Sequence, residues 1–365
     1  MEYVQERIAT LHDYGDASAA TRDVATDDVS VVVPMTDREH ASLAAERVLV
    51  ELERVDPAAV FVPVRSPPDR IEPFAAWLTS FSLPIRVLWC NAPPVEELMA
   101  DAGLANGFGK GRDVWLALGP ATTATDRVVV HDADARSYEA DHVRRLLAPL
   151  EVGFSFSKGY YARVEEDRLY GRLFRLFYEP LVRTLADAHE EPIVDYLGAF
   201  RYALAGEFAA TADLAERIRA PRSWGLEVAT LGDAFDRVGF SGTAQVDLGR
   251  HEHDHRAVAG GTGLEGMSHE VATALFSTLA DHGVDPDYGS LPDRYRERGR
   301  GLIERYAADA AFNGFTFDRE AEREQVDRYA AAIEPPTADR RLPAWTDAPF
   351  HPETVLAAAT PRTDR

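Results

Sequence analysis

The chain has 365 residues, 45% of them hydrophobic, with 61 acidic against 39 basic side chains and a formal net charge of −22. That balance leaves no basic face to neutralise nucleic-acid phosphates, and the single cysteine, Cys90, excludes an intrachain disulfide. No apolar run approaches the roughly 20 residues of a membrane helix.

The start, Met1-Glu2-Tyr3-Val4, has no basic n-region and no apolar stretch of a signal peptide, so a cytoplasmic protein is expected. Only two lysines occur, Lys110 and Lys158. Acid enrichment with so little lysine implies a high-salt cytoplasm, where a charged surface stays hydrated and its self-repulsion is screened. Residues 1–28 read as a polar leading arm, helical at the start. Residues 29–34 form a first strand, Val29-Ser30-Val31-Val32-Val33-Pro34. Leu43, Ala44, Val48 and Leu52 have helical spacing and predict a helix over 41–55. A second strand spans 59–64, a helix 73–81 and a third strand 84–90, which ends on Cys90 as a buried thiol. Residues 109–119 are a glycine-rich entry into a helix, and 127–131 are a fourth strand. Strands alternating with helices at this spacing argue for βαβ units and a mostly parallel sheet. Ligands of such sheets gather at the carboxyl ends of strands, where Pro34, Arg65-Ser66 and Asp132/Asp134 all fall. Further on, the pattern predicts a helix over 143–150, a strand over 152–161 and a long helix from about Arg168 to Ala188. A strand over 242–248 and two or three helices ending near Ile333 follow. The organisation is an arm (1–28), one α/β domain (29–255), a helical C-terminal extension (256–333) and a proline-rich polar tail (334–365).

Three clusters can carry chemistry. In His131-Asp132-Ala133-Asp134, the two carboxylates follow a strand and can share one small volume, a hard-oxygen site suited to Mg²⁺ or Mn²⁺. A solvated acidic turn is the other reading. Gly109-Lys110-Gly111 offers backbone N–H groups and one cation to a diphosphate, but lacks the P-loop spacing. His251, His253 and His255 alternate on an extended segment, so their rings share one side. Leu204-Ala205-Gly206-Glu207 and Trp224-Gly225-Leu226-Glu227 each place a carboxylate just after a glycine. Those acids can bind sugar hydroxyls or simply sit at helix N-termini.

In this order the motifs resemble the glucosyl-3-phosphoglycerate synthases, retaining glycosyltransferases of the type A fold related to mannosyl-3-phosphoglycerate synthases. The resemblance runs over residues 29–255. It rests on Ser30 to Pro34, Gly109-Lys110-Gly111 with Trp115, Asp132-Ala133-Asp134 and Lys158-Gly159-Tyr160-Tyr161-Ala162-Arg163. It continues through the two glycine–glutamate motifs and Ala244-Gln245-Val246-Asp247-Leu248-Gly249. It implies a Rossmann-like sheet with a helical C-terminal extension, and a metal-dependent transfer of glucose from UDP-glucose to 3-phosphoglycerate in compatible-solute (glucosylglycerate) synthesis. By the same resemblance Pro34, Met35, Thr36 and Ser66 line the uridine pocket. Lys110 meets the diphosphate, Asp132 and Ala133 the ribose or sugar, and Gly206 and Glu207 frame the donor sugar. Asp134 and His253 hold Mg²⁺ or Mn²⁺. Glu227 joins Lys110 as a catalytic residue by orienting sugar or acceptor. Arg168, Tyr170 and His255 fall to the acceptor phosphate. A homodimer is expected. The chain departs from the family where Glu39 comes one place late after Pro34, and where His251 and His255 replace an arginine and an asparagine. No carboxylate stands out as a covalent nucleophile, which implies front-face attack with the leaving phosphate as proton acceptor. A GDP-mannose-dependent transferase, another acceptor, a non-catalytic sugar-nucleotide binder and a metal-binding protein are the alternatives.

Overall fold

The computed structural model describes residues 5–13, 21, 24–253, 263–336 and 339–361. Its strands are β1 (Ala9–Leu11), β2 (Val29–Val32), β3 (Met35–Thr36), β4 (Ala59–Arg65), β5 (Ile85–Trp89), β6 (Arg127–Val130), β7 (Phe156–Glu165), β8 (Arg168–Leu169), β9 (Phe208–Thr211) and β10 (Thr243–His251). Among the described residues they form one sheet in the order β1-β10-β7-β9-β6-β2-β4-β3, with β5 on β4 and β8 on β7. Neighbours are parallel except β9, which runs against both β6 and β7, and β8, which folds back on β7. β2 and β6 are nearly unbroken valine runs because helices cover both faces of a parallel sheet. β3 keeps the register of β2 on β4; only Pro34, which lacks an N–H, separates their hydrogen bonds.

The early helices are α1 (Leu43–Val55), α2 (Ile71–Leu78), α3 (Pro93–Asp101), α4 (Lys110–Ala124) and α5 (Asp141–Glu151). α1 begins where the Ser42 hydroxyl accepts from the Ala45 amide, an N-cap, and ends at Asp56 in the left-handed region. α4 is buried over its first three turns and packs on β2 and β4, which fixes its N-terminus at the sheet's carboxyl edge. The C-terminal extension comprises α6 (Leu264–Asp281), α7 (Leu291–Phe312) and α8 (Arg319–Tyr329). It carries Tyr295, Ile303, Val326 and Tyr329 into the common core.

Three expectations from sequence are corrected. The arm contributes β1, which adds in parallel to the open edge of β10, with the Gln5 side chain bonded to both backbone groups of Thr10. The helix expected from Arg168 starts later. Glu166 and Asp167 both have positive φ, 45° and 55°, and turn β7 back into β8 as a two-residue hairpin. The helix then opens as a π-helical turn, Leu173–Tyr178, and continues as a helix over Glu179–Ala186. The tail is packed rather than merely polar. Trp345 stacks on Trp115 at 4.4 Å between centroids, and the two indole N–H groups donate to Pro343 O and Trp115 O. Among the described residues no helix is long and apolar enough to cross a membrane.

Candidate functional site

The carboxyl ends of β2, β4 and β6 open onto a cleft of about 1200 Å³, lined by Pro34, Met35, Thr36 and Ser66 and, further along, by Lys110 and the turn Asp132-Ala133-Asp134. Ser66 is fixed by Asn91, whose side chain accepts from the Ser66 amide and donates to its carbonyl, both at 3.0 Å. The late glutamate, Glu39, turns back: its carboxylate accepts from the Thr36 amide at 2.5 Å and the Thr36 hydroxyl at 2.7 Å. Arg65, Asn91 and Phe108 line the same cleft and were not singled out by sequence. Phe108 is 62% exposed there, with the Arg65 guanidinium 5.8 Å from its ring centre. An aromatic held between Gly107 and Gly109 was the available signal.

Lys110 stands at the head of α4. Its Nζ lies 2.7 Å from Asp132 Oδ1 and 3.0 Å from Glu227 Oε1. Burial pulls this ammonium toward neutrality, but the two carboxylates outweigh it and hold the pKa above the usual lysine value. Glu227 occupies the first turn of the helix Leu226–Val238, where the positive end of the helix favours its charge. The flanking glycines allow close packing against residues 221–223, and the Gly111 amide is taken up there rather than left free. The Gly111 and Arg112 N–H groups donate to Ser223 O and Arg222 O, both at 3.0 Å, and a Cβ on Gly111 would collide with Pro221 O. The Lys110 ammonium is the charge that this helix end brings to the cleft.

Asp132, Asp134 and His253 each offer a ligand atom within 4.8 Å of the others. His253 is held from its backbone: its amide donates to Glu165 Oε1 at 3.1 Å, and a β-bridge ties it to Ala135. Its Nε2 lies 3.9 Å from Asp134 Oδ1. Burial first, and then the charge of Asp132, push Asp134 up to about 8 against the opposing pull of Lys110. Two carboxylates and one imidazole form a donor set that fits Mg²⁺ or Mn²⁺. His251 lies outside this set; its buried ring stacks on Tyr161 at 4.1 Å. His255 lies outside the described residues.

Gly206 and Glu207 sit behind the cleft, at the start of the antiparallel β9. Gly206 presses on the Asp132 carboxylate so closely that a Cβ there would overlap it. The Glu207 carboxylate is buried, 4.0 Å from His251 Nε2, and burial followed by the Asp132 charge raises it to about 7. Of the two readings from sequence, a ligand for sugar hydroxyls or a helix N-terminal acid, the second does not apply, because Glu207 precedes a strand. Two of the residues that the resemblance assigns to the acceptor, Arg168 and Tyr170, lie apart from the cleft lining. Arg168 is exposed, opposite Glu165 in the hairpin, and the Tyr170 amide donates to Arg163 O at 2.9 Å. Arg175 holds this return by donating to Leu169 O and Tyr170 O and by a bidentate pair with Glu322 of α8 at 3.0 and 3.1 Å.

No family model matches the chain. It is 32% identical to a glucosyl-3-phosphoglycerate synthase of Methanococcoides burtonii over 95% of its own length and 94% of that protein. It is 36% identical to a second, from Persephonella marina, over 70% of its length and 67% of that protein. A crystal structure of the Mycobacterium tuberculosis glucosyl-3-phosphoglycerate synthase with Mn²⁺, UDP-glucose and phosphoglyceric acid superposes with a TM-score of 0.56. That match has 26% identity and covers 77% of this chain and 89% of the other.

Proposed function

The chain belongs to the glucosyl-3-phosphoglycerate synthases, glycosyltransferases of the type A fold, and on that premise we propose that it transfers glucose from UDP-glucose to the 2-hydroxyl of 3-phosphoglycerate with retention. The observation that carries the proposal is the convergence of Lys110, Asp132 and Glu227 within hydrogen-bond distance, one edge from the Asp132–Asp134–His253 donor set. In this reading Pro34 to Thr36 and Ser66 hold uridine. Lys110 meets the diphosphate, and Asp132, Gly206 and Glu207 frame the glucose. A divalent ion held by Asp134 and His253 supplies charge neutralisation for the departing UDP. Lys110 contributes a fixed positive charge to the same leaving group, already oriented by two carboxylates, so little reorganisation accompanies bond breaking. Glu227 keeps that ammonium in place and faces the sugar side. Retention then follows from attack on the face that UDP leaves, with a leaving-phosphate oxygen taking the hydroxyl proton. The product class is a phosphorylated, charged compatible solute, in keeping with the acid-rich composition.

The test is UDP release in high salt with Mg²⁺ or Mn²⁺, offering UDP-glucose with and without 3-phosphoglycerate. GDP-mannose runs in parallel, and Asp134→Ala is the control. Release that needs the acceptor and fails in the variant supports the proposal. Release from GDP-mannose alone refutes the donor, and release indifferent to phosphoglycerate refutes the acceptor.

A further inference from the structure

The only other lysine is also at this site. Among 39 basic residues just two are lysine, Lys110 and Lys158. Lys158 is 1% exposed. It projects from β7, opposite Phe208 in the antiparallel pair, and its Nζ donates to the carbonyl of Ala205. The next residue repeats the grip: the Gly159 amide donates to Glu207 O at 3.0 Å. Between these two anchors lies Gly206, whose α-carbon packs on the Asp132 carboxylate. Through that contact the turn 205–207 sets where Asp132 can sit, and so where it meets Lys110.

A buried ammonium is costly, and burial lowers this one to about 8 even though Glu227 and Glu207 act to keep it charged. Packing alone does not require it, because methionine fills nearly the same volume without a charge to desolvate. The remaining basic side chains, all arginine, are too broad and too rigidly forked to enter this slot with one hydrogen-bond acceptor at its end. The carboxylates Asp132, Glu207 and Glu227 act on Lys158 as Asp132 and Glu227 do on Lys110, and Lys158 is the ammonium outside the cleft lining. We propose that Lys158 is a positioning residue for the sugar side of the site: its buried ammonium clamps the Ala205-Gly206-Glu207 turn to β7 and thereby fixes the Asp132 carboxylate against Lys110. For its kinetic readout this rests on the transferase reading above.

The experiment compares wild type with Lys158→Met and Lys158→Ala. Expected in Lys158→Met is a loss of about 100-fold in kcat, the scale of a reacting group misplaced by about 1 Å. UDP affinity in the presence of Mn²⁺ falls by about tenfold or less, since Pro34 and Ser66 are untouched while Asp132 belongs to both the Lys110 pair and the metal donor set. In Lys158→Ala, added propylammonium restores kcat saturably, whereas guanidinium of the same charge does not. Lys158→Gln, which keeps a donor for Ala205 O, serves if the methionine variant does not fold. A Lys158→Met enzyme with wild-type kcat overturns the proposal, as does an equal loss in UDP affinity and kcat. Amide exchange across residues 203–209 is read on the same samples. Should wild type turn over no donor at all, the transferase reading fails by itself. Unchanged exchange in Lys158→Met then still refutes the clamp, and faster exchange supports it.

Discussion

Gly206→Ala tests whether the Asp132 carboxylate is held by backbone contact. An ideal Cβ on Gly206 would lie 2.7 Å from Asp132 Cγ and 3.0 Å from its Oδ1, against an ordinary contact of 3.4 Å or more. Something must move, and the backbone is the less free partner. Ala205 O is bonded to Lys158, Glu207 O to the Gly159 amide, and Ala205 N to Tyr202 O. The carboxylate therefore swings away and gives up its 2.7 Å contact with Lys110 Nζ. Overpacking of this kind costs about 1–3 kcal/mol of stability, a fall of a few degrees in Tm for a chain of this size. The catalytic loss is larger in proportion: about 100-fold in kcat/KM, because Asp132 stands at both the Lys110 pair and the metal donor set. The assays are steady-state UDP release and Mn²⁺ titration, with Gly301→Ala as control. Gly301 is in the middle of α7 and a Cβ there meets nothing within 4 Å, so that substitution should stabilise by about 0.5–1 kcal/mol and leave turnover alone. If Gly206→Ala turned over and bound Mn²⁺ like wild type, Asp132 would be shown to hold its place without the glycine, and the account of this turn would be wrong.

Glu322→Ala should cost about 3 kcal/mol, the low end for breaking a buried pair, because Arg175 keeps Leu169 O, Tyr170 O and the Tyr306 ring. Chemical denaturation measures it, and a loss below 1 kcal/mol contradicts the burial argument. Trp345→Ala should cost about 3–5 kcal/mol by emptying the stack on Trp115 and removing the indole bond to Trp115 O. Tm would register it, and an unchanged Tm would show the tail to be dispensable. His142 is depressed to about 4, chiefly by burial and then by Arg145, so its neutral form stabilises the fold above about pH 6.5 and that contribution is lost as pH falls toward 4. Wild type should therefore lose up to about 1.4 kcal/mol per pH unit more than His142→Gln across that window. The difference between the two proteins is the quantity to measure, since Glu207, raised to about 7, acts with the opposite sign in both.

The parallel core was legible because its strands are buried on both faces and read as plain apolar runs, Val29 to Val33, Ala59 to Val64 and Arg127 to Val130. What escaped was whatever depends on partners far along the chain. β9 is only Phe208 to Thr211, too short and too alanine-rich to register as a strand, yet its reversed direction brings Gly206 and Glu207 to Asp132. The hairpin before Arg168 needs positive φ at a glutamate and an aspartate, residues that on composition alone read as the start of a helix. In the site itself, Asp132 and Asp134 could be paired by adjacency. Lys110 and Glu227, which are 117 residues apart, were joined only through the family's motif order. Lys158 left two traces, its rarity and its place at the head of the Lys158–Arg163 motif.

These differences divide the site physically. The cleft is made by strand ends of one parallel sheet, and its polar groups are cross-braced: Lys110 to Asp132 and Glu227, Ser66 to Asn91, Thr36 to Glu39. The hairpin carrying Arg168 and Tyr170 is braced instead from outside the sheet, through Arg175 to Glu322 and through the Thr316 amide to Asp167 O at 2.9 Å. A change in α8 can therefore shift the hairpin while the cleft from Pro34 to Asp134 keeps its shape. The family resemblance assigns Arg168 and Tyr170 of this hairpin to the acceptor phosphate, and both stand outside the cleft lining. On that assignment, acceptor affinity and UDP affinity should respond separately to Glu322→Ala, the first falling while the second holds. If both fell together, the hairpin and the cleft would have to be one cooperative unit, and the bracing seen in the sheet would not be what sets the shape of the cleft.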